Sequence, residues 1–164
     1  MRKMIIFSLI ALTLCVSSCG NSNKPVTSDN SGNEYYTQTN MSALEYSMYI
    51  ANKISVATGQ LNTHMTKIRN VANGSCTYED EISAIESSIK ILKEDKIDLN
   101  YVYPPDSYAS TRDNALQYWQ DAIDKLSEVS DELSDDDITT ERATELSSDL
   151  SDIFTSIQSL NFVV

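Results

Sequence analysis

The chain has 164 residues and carries 24 acidic against 12 basic side chains, which gives a formal net charge of −12 at pH 7. A surface this acidic repels nucleic acid and anionic lipid headgroups, so we expect no nucleic-acid partner and favour cations or basic proteins. The length is sufficient for one domain with a single hydrophobic core.

The N-terminal segment has the layout of an export signal. Arg2 and Lys3 are followed by an apolar run from Met4 to Val16. At 13 residues this run is too short to span a bilayer, which needs about 20 apolar residues, but it suits the hydrophobic region of a signal peptide. We therefore expect residues 1–18 to be removed as a signal peptide.

The end of this segment resembles the signal of bacterial lipoproteins, on the residues Val16, Ser17, Ser18 and Cys19. An aliphatic residue and two small residues precede the cysteine in that family. The resemblance covers residues 1–19 only. It implies cleavage between Ser18 and Cys19, a diacylglyceryl thioether on Cys19, and acylation of the new amino terminus with a chain such as palmitate. The alternative is an ordinary secretory signal in which Cys19 is coincidental.

A lipid on Cys19 would anchor the chain to a membrane of the cell envelope, on the extracytoplasmic side. The residue directly after Cys19 is Gly20 and not Asp, and in a host with two membranes the same resemblance then implies the periplasmic face of the outer membrane. Residues 19–40 are polar and show no apolar period, so burial cannot offset the entropy of ordering them. We predict a lipidated, disordered tether over this range.

Four segments of residues 41–164 repeat apolar residues every three or four positions, which predicts four amphipathic helices. Capping residues and helix breakers predict where these helices begin and end. The predicted starts, in chain order, are Ser42, Thr77, Pro105 or Asp106, and Thr139. The predicted ends of the first three helices are Asn73–Gly74, about Asn100, and Ser134. Their short connections predict an all-α, up-down-up-down antiparallel four-helix bundle.

The apolar stripes predict which side chains form the core. For the first helix the predicted stripe is Leu44, Met48, Ala51, Ile54, Leu61, Met65, Ile68 and Ala72, with His64 at its margin. For the third helix it is Ala115, Trp119, Ala122, Leu126, Val129 and Leu133, and for the fourth it is Ala143, Leu146, Leu150, Ile153, Ile157 and Leu160. No stretch alternates with period two for long enough to predict a strand.

Acidic residues step by three and four along the third and fourth helices. The residues are Asp121, Asp124, Glu128, Asp131 and Asp135, then Asp136 and Asp137 in the turn, then Glu141, Glu145 and Asp149. One interpretation is a docking surface for a basic envelope or secreted protein. The other is a solvated surface that keeps the protein soluble.

An antiparallel bundle places the connection between the second and third helices beside the start of the first. Tyr101, Tyr103 and Tyr108 therefore gather in an aromatic pole at the end where the tether enters. These tyrosines either close the end of the bundle by packing, or form a shallow binding surface or a contact with the membrane interface.

The chain offers few residues for chemistry. His64 is the only histidine, and Cys76 is the only cysteine left after processing, so we expect neither a zinc set nor an intramolecular disulfide. The acidic turn lacks the Gly and Glu that a calcium loop requires. We expect no catalytic residues, no metal and no cofactor, and leave the oligomeric state open. The first helix is nearly uncharged, which favours the hypothesis that it is a surface for a partner or a dimer.

The resulting expectation is a lipid-anchored, non-enzymatic interaction module. The alternative is an immunity-like or inhibitor lipoprotein that neutralises a basic toxin or hydrolase.

Overall fold

The computed structural model describes residues 26–28, 34–36, 39–135 and 138–160. The described chain is all-α, as predicted, and has four long helices. They are α1 (Ala43–Ala72), α2 (Tyr78–Tyr101), α3 (Ala109–Leu133) and α4 (Thr140–Gln158). A short 3₁₀ helix, Asp106–Tyr108, precedes α3. In this part of the chain no helix has both the length and the apolar character needed to cross a membrane.

The predicted capping residues begin three of these helices. Ser42 and Glu45 form a capping box at the start of α1, with the Ser42 backbone N–H donating to Glu45 Oε2 at 2.9 Å. The Thr77 and Thr139 hydroxyls accept backbone N–H groups at the starts of α2 and α4. Gly74 has φ +72°, the left-handed conformation that follows the end of α1. These boundaries are confirmed.

Two strands lie within the segment that was predicted to be a disordered tether. Val26–Ser28 (β1) pairs antiparallel with Glu34–Tyr36 (β2). Strands of three residues are too short to show an alternating apolar pattern, which is why the sequence predicted none.

A second strand pair ties the start of the helical region to the connection between α2 and α3. Thr39–Asn40 (β3) pairs in parallel with Val102–Tyr103 (β4). The Met41 N–H continues this pairing by donating to the Tyr103 carbonyl at 3.2 Å. The chain therefore enters α1 next to the tyrosine-rich connection.

The core lies between all four helices. Helix α1 packs against α2 and α4, and α3 packs against the same two helices. The predicted stripes of α3 and α4 are confirmed, apart from the half-buried Ile153. The buried members are Ala115, Trp119, Ala122, Leu126, Val129 and Leu133 on α3, and Ala143, Leu146, Leu150, Ile157 and the following Leu160 on the α4 side.

The predicted stripe was wrong at the start of α1. Leu44 and Met48 are 64% and 68% exposed. The buried row is instead Tyr46, Ile50, Ala57, Leu61, His64, Ile68 and Val71, with Ser47 beside it. This stretch has two apolar rows. The row with Tyr46 faces inward, and the Tyr46 ring packs against Tyr108 with ring centroids 5.5 Å apart.

Candidate functional site

The acidic surface is formed by α3 and α4. Between residues 121 and 152 the sequence has 12 acidic residues and only two basic ones, Lys125 and Arg142. The predicted docking residues that the structure describes are all exposed or half-buried; they are Asp121, Asp124, Glu128, Asp131, Asp135, Glu141, Glu145 and Asp149. We use "acidic surface" for these eight residues. Asp136 and Asp137 lie outside the described residues.

Arg142 joins α3 to α4 at the centre of this surface. Its Nε donates to Glu132 Oε2 at 2.8 Å, and its Nη1 donates to Glu145 Oε2 at 3.0 Å. Its Nη2 contacts both Glu132 and Glu128. The hydrogen bonds to Glu132 and Glu145 raise the pKa of Arg142, and in return the guanidinium lowers the pKa of Glu132 below its usual range.

Lys125 makes a second bridge between the two helices. Its Nζ lies 2.6 Å from Glu128 and 3.0 Å from Asp149. The hydrogen bond with Glu128 is the main cause that raises the pKa of Lys125. Both basic residues of this region are therefore already engaged by carboxylates of α3 and α4.

The remaining carboxylates divide into two groups. Asp121 and Asp124 accept hydrogen bonds from neutral amides, those of Gln117 at 2.7 Å and Gln120 at 2.6 Å. In the part of the chain that the structure describes, no basic side chain pairs with Asp131, Asp135 or Glu141, and all three are exposed. The acidic surface thus carries negative charge that the surrounding helices do not neutralise.

The predicted aromatic pole is largely packed. Tyr108 is buried, Tyr101 is half-buried and Tyr103 is 38% exposed. The Arg112 guanidinium lies 5.1 Å from the centre of the Tyr103 ring, and its Nη2 donates to the Asn100 carbonyl at 2.9 Å. Because Tyr108 is buried, it belongs to the core, and Tyr103 is the most exposed of the three predicted tyrosines.

A buried polar network lies between α1 and α2, and the sequence did not predict it. His64 was predicted at the margin of the apolar face, but its side chain is 1% exposed. Its Nδ1 lies 2.6 Å from Glu81 Oε1, and its Nε2 lies 2.8 Å from Ser88 Oγ. The Ser88 hydroxyl in turn donates to Gln60 Oε1 at 2.7 Å. Glu81 and Ser88 are also buried.

This network places a hydroxyl, an imidazole and a carboxylate in the order used by serine hydrolases. The Ser88 hydroxyl, however, gives its hydrogen to Gln60 rather than to the imidazole. A cavity of about 340 Å³ lies beside the network, and it is lined by Glu81 and Lys67 but not by Ser88 or His64. The network therefore satisfies buried polar groups and presents no nucleophile to that cavity.

Lys53 extends the polar contacts towards the other end of α2. Its Nζ lies 2.5 Å from Asp95 and 2.9 Å from Asp98. Burial by itself lowers the pKa of Lys53, but the hydrogen bonds with these two carboxylates outweigh it and the pKa is raised. Lys53 is thereby held in its charged form inside the α1–α2 interface.

One sequence signal could have revealed this interface. Glu81, Ser88 and Asp95 recur every seven residues along α2 and are all buried. Polar residues that recur every seven positions, next to an apolar row with the same spacing, indicate a helix that packs a polar row against a neighbouring helix. The opposing residues on α1 are His64, Gln60 and Lys53.

Within the described residues, no group of three or more His, Cys, Asp or Glu side chains could hold a metal ion. Cys76 is half-buried and forms no disulfide. Comparisons with known protein families, curated proteins and solved structures found no match to this chain.

Proposed function

We propose that this chain is a lipid-anchored, extracytoplasmic helical-bundle protein. It acts as a non-enzymatic interaction module that docks a basic envelope or secreted protein on its acidic surface. The proposal rests on the charge balance of the acidic surface. Lys125 and Arg142 are already engaged within α3 and α4, while Asp131, Asp135 and Glu141 are exposed without a basic partner among the described residues.

Unneutralised carboxylates on one surface have a defined physical effect. They create a negative potential that steers a basic partner towards that surface and raises the association rate. The same charges cost some helix stability, because like charges three or four residues apart repel each other. The bridges made by Arg142 and Lys125 offset part of that repulsion and hold α3 and α4 together as a platform.

The proposed architecture is the up-down-up-down antiparallel bundle. Contacts across neighbouring helices support it, because early residues of one helix pair with late residues of the next. Lys53 contacts Asp95 while the later His64 contacts Glu81. Across α3 and α4, Lys125 contacts Asp149 and Glu132 contacts Arg142.

The proposed anchor rests on the lipoprotein-like residues 16–19. It is tested by metabolic labelling with a palmitate analogue. We expect the wild-type chain and the control Cys76→Ser to incorporate the label, and Cys19→Ser to lose it together with membrane association. Equal labelling of Cys19→Ser and Cys76→Ser would contradict the anchor.

Docking on the acidic surface is tested with a matched pair of double variants. Asp131→Asn with Glu141→Gln removes two exposed charges from the acidic surface, whereas Glu86→Gln with Glu94→Gln removes two exposed charges from α2. Full-length chains are cross-linked in intact cells and the captured proteins are identified. The proposal expects basic partners whose yield falls only in the first variant. Equal yields from both variants would contradict it.

The identity of the captured proteins distinguishes two roles. Several envelope proteins indicate a general interaction module. A single basic enzyme that loses activity on binding indicates an inhibitor or immunity-like lipoprotein.

A further inference from the structure

The outer side of α1 carries a row of residues that nothing in the docking proposal uses. Its members are Leu44, Met48, Ala51, Ser55, Gly59, Asn62 and Thr66, and every one of them is exposed. Their spacing of three and four residues places them on one side of a helix with 3.6 residues per turn. The buried row of α1 lies on the opposite side. We call these seven residues the α1 outer row.

The α1 outer row differs in chemistry from the rest of the surface. None of its seven side chains is charged, although the chain has a formal net charge of −12. It also contains the two most exposed large apolar side chains among the described residues, Leu44 at 64% and Met48 at 68%. A second copy of so acidic a chain is repelled by α3 and α4, so self-association requires a face without carboxylates.

The order of residues in this row is symmetric about Ser55. Ala51 lies four positions before Ser55, and Gly59 lies four positions after it; the next steps are three and four positions on both sides. We propose that the α1 outer row binds the α1 outer row of a second copy of this chain, antiparallel, around a two-fold axis at Ser55. A two-fold interface uses the same surface on both copies.

The sizes of the side chains fit this arrangement. Ala51 faces Gly59 of the second copy, Met48 faces Asn62, and Leu44 faces Thr66. Small residues at the centre let the two helix backbones approach closely, as glycine does wherever another chain passes near. A Cβ added at Gly59 meets nothing within 4 Å, so the space over this position is open in the single chain.

The charges at the two ends of α1 select the antiparallel direction. Lys53 and Lys67 of α1 contact carboxylates of α2, whereas Glu45 and Arg69 are exposed at opposite ends of the helix. Antiparallel pairing brings Glu45 of each copy to the same end as Arg69 of the other. Parallel pairing would place like charges together.

The predicted association is weak. The row spans about 33 Å at 1.5 Å per residue. A single helix pair of this length buries less than the roughly 1,200–2,000 Å² of stable interfaces. Copies tethered to one membrane would meet at a high effective concentration, which favours such an interface. That last step rests on the proposed anchor, while the interface itself does not.

Disulfide trapping in the full chain tests the interface. Every variant carries Cys76→Ser, and the chain without an added cysteine measures the background from Cys15 and Cys19. Ser55→Cys places thiols on the two-fold axis, and Ser87→Cys places them on the exposed side of α2. We expect a covalent dimer to form about tenfold faster with Ser55→Cys than with Ser87→Cys. Equal rates would overturn the proposal.

Two further measurements test the direction and the close approach. A mixture of Met48→Cys and Asn62→Cys chains should cross-link faster than either variant alone, whereas faster linkage of Met48→Cys with itself would overturn the antiparallel arrangement. Gly59→Leu in the Ser55→Cys chain should slow cross-linking about tenfold without lowering the melting temperature, since Leu is a better helix former than Gly. An unchanged cross-linking rate would overturn the close approach at Gly59.

Discussion

His64 and Glu81 lie 2.6 Å apart between α1 and α2, and each side chain is only 1% exposed. Lys67 approaches the second carboxylate oxygen of Glu81 at 3.6 Å from the surface side. A carboxylate this deeply buried depends on its partners, because an unpaired buried charge is far more costly than an unpaired exposed one. The pair therefore fixes how α1 aligns with α2.

Glu81→Ala is expected to lower the free energy of unfolding by about 1–3 kcal/mol, because it leaves the buried Nδ1 of His64 without its hydrogen-bond partner. The matched control is Glu86→Ala, which removes an exposed carboxylate from the same helix and should change stability by less than about 0.5 kcal/mol. Denaturant unfolding of both variants measures the difference. Equal losses would show that the pair does not hold α1 to α2.

Leu126 and Leu44 offer a comparison of one residue type at two depths. Leu126 is fully buried on α3, and Leu126→Ala should cost about 2–5 kcal/mol through lost burial and a cavity. Leu44 is 64% exposed, and Leu44→Ala should cost less than about 0.5 kcal/mol. If denaturant melts show a larger loss of stability for Leu44→Ala than for Leu126→Ala, then the side of α1 or of α3 that is described as buried is wrong.

Arg142 controls the ionisation of Glu132. Its hydrogen bond lowers the pKa of Glu132 from 4.5, so the contact adds stability above that pH, and this contribution is lost as acid protonates the folded state. Arg142→Gln should return the pKa of Glu132 towards 4.5 and weaken the dependence of stability on pH below that value. NMR titration of the Glu132 carboxyl measures this. A pKa that stays low in the variant would contradict the assignment.

Tyr46 is a fully buried phenol whose hydroxyl has no hydrogen-bond partner among the described residues. Burial raises the pKa of Tyr46 from 10.0 to about 12, so its contribution to stability is complete below pH 10 and is lost as the pH rises towards 12. Tyr46→Phe should change stability at neutral pH by less than about 1 kcal/mol. The variant should also lose less stability than the wild type as the pH rises from 10 towards 12, which thermal melts at high pH measure. An equal loss of stability in the two chains would contradict this role of Tyr46.

Local signals predicted the starts of α1, α2 and α4, whereas α3 begins at Ala109 rather than at Pro105 or Asp106, because the 3₁₀ helix Asp106–Tyr108 precedes it. Ser42, Thr77 and Thr139 cap their helices because a capping bond forms within three residues of chain. The stripes of α3 and α4 were equally predictable, since each has one apolar row and an acidic opposite side. The same acidic spacing located the acidic surface.

Contacts between residues that are far apart in the chain could not be predicted in the same way. Leu44 and Tyr46 both begin apolar rows of α1, and the row that turns inward depends on residues distant in the chain, among them Tyr108, more than 60 residues later, whose ring packs against Tyr46. The burial of His64 likewise depends on Glu81 and Ser88 facing it from α2. The bridges of Lys125 and Arg142 depend on how α3 aligns with α4.

The salt dependence of association tests whether the acidic surface steers the docking of a basic partner. The measurement follows the association rate of a captured basic partner as salt rises from about 0.1 M to about 1 M, over which the Debye length falls from about 10 Å to about 3 Å. If the acidic surface steers docking, the wild-type rate should fall at least about tenfold. The variant with Asp131→Asn and Glu141→Gln should start slower and fall less. A wild-type rate that does not change with salt would contradict docking on the acidic surface.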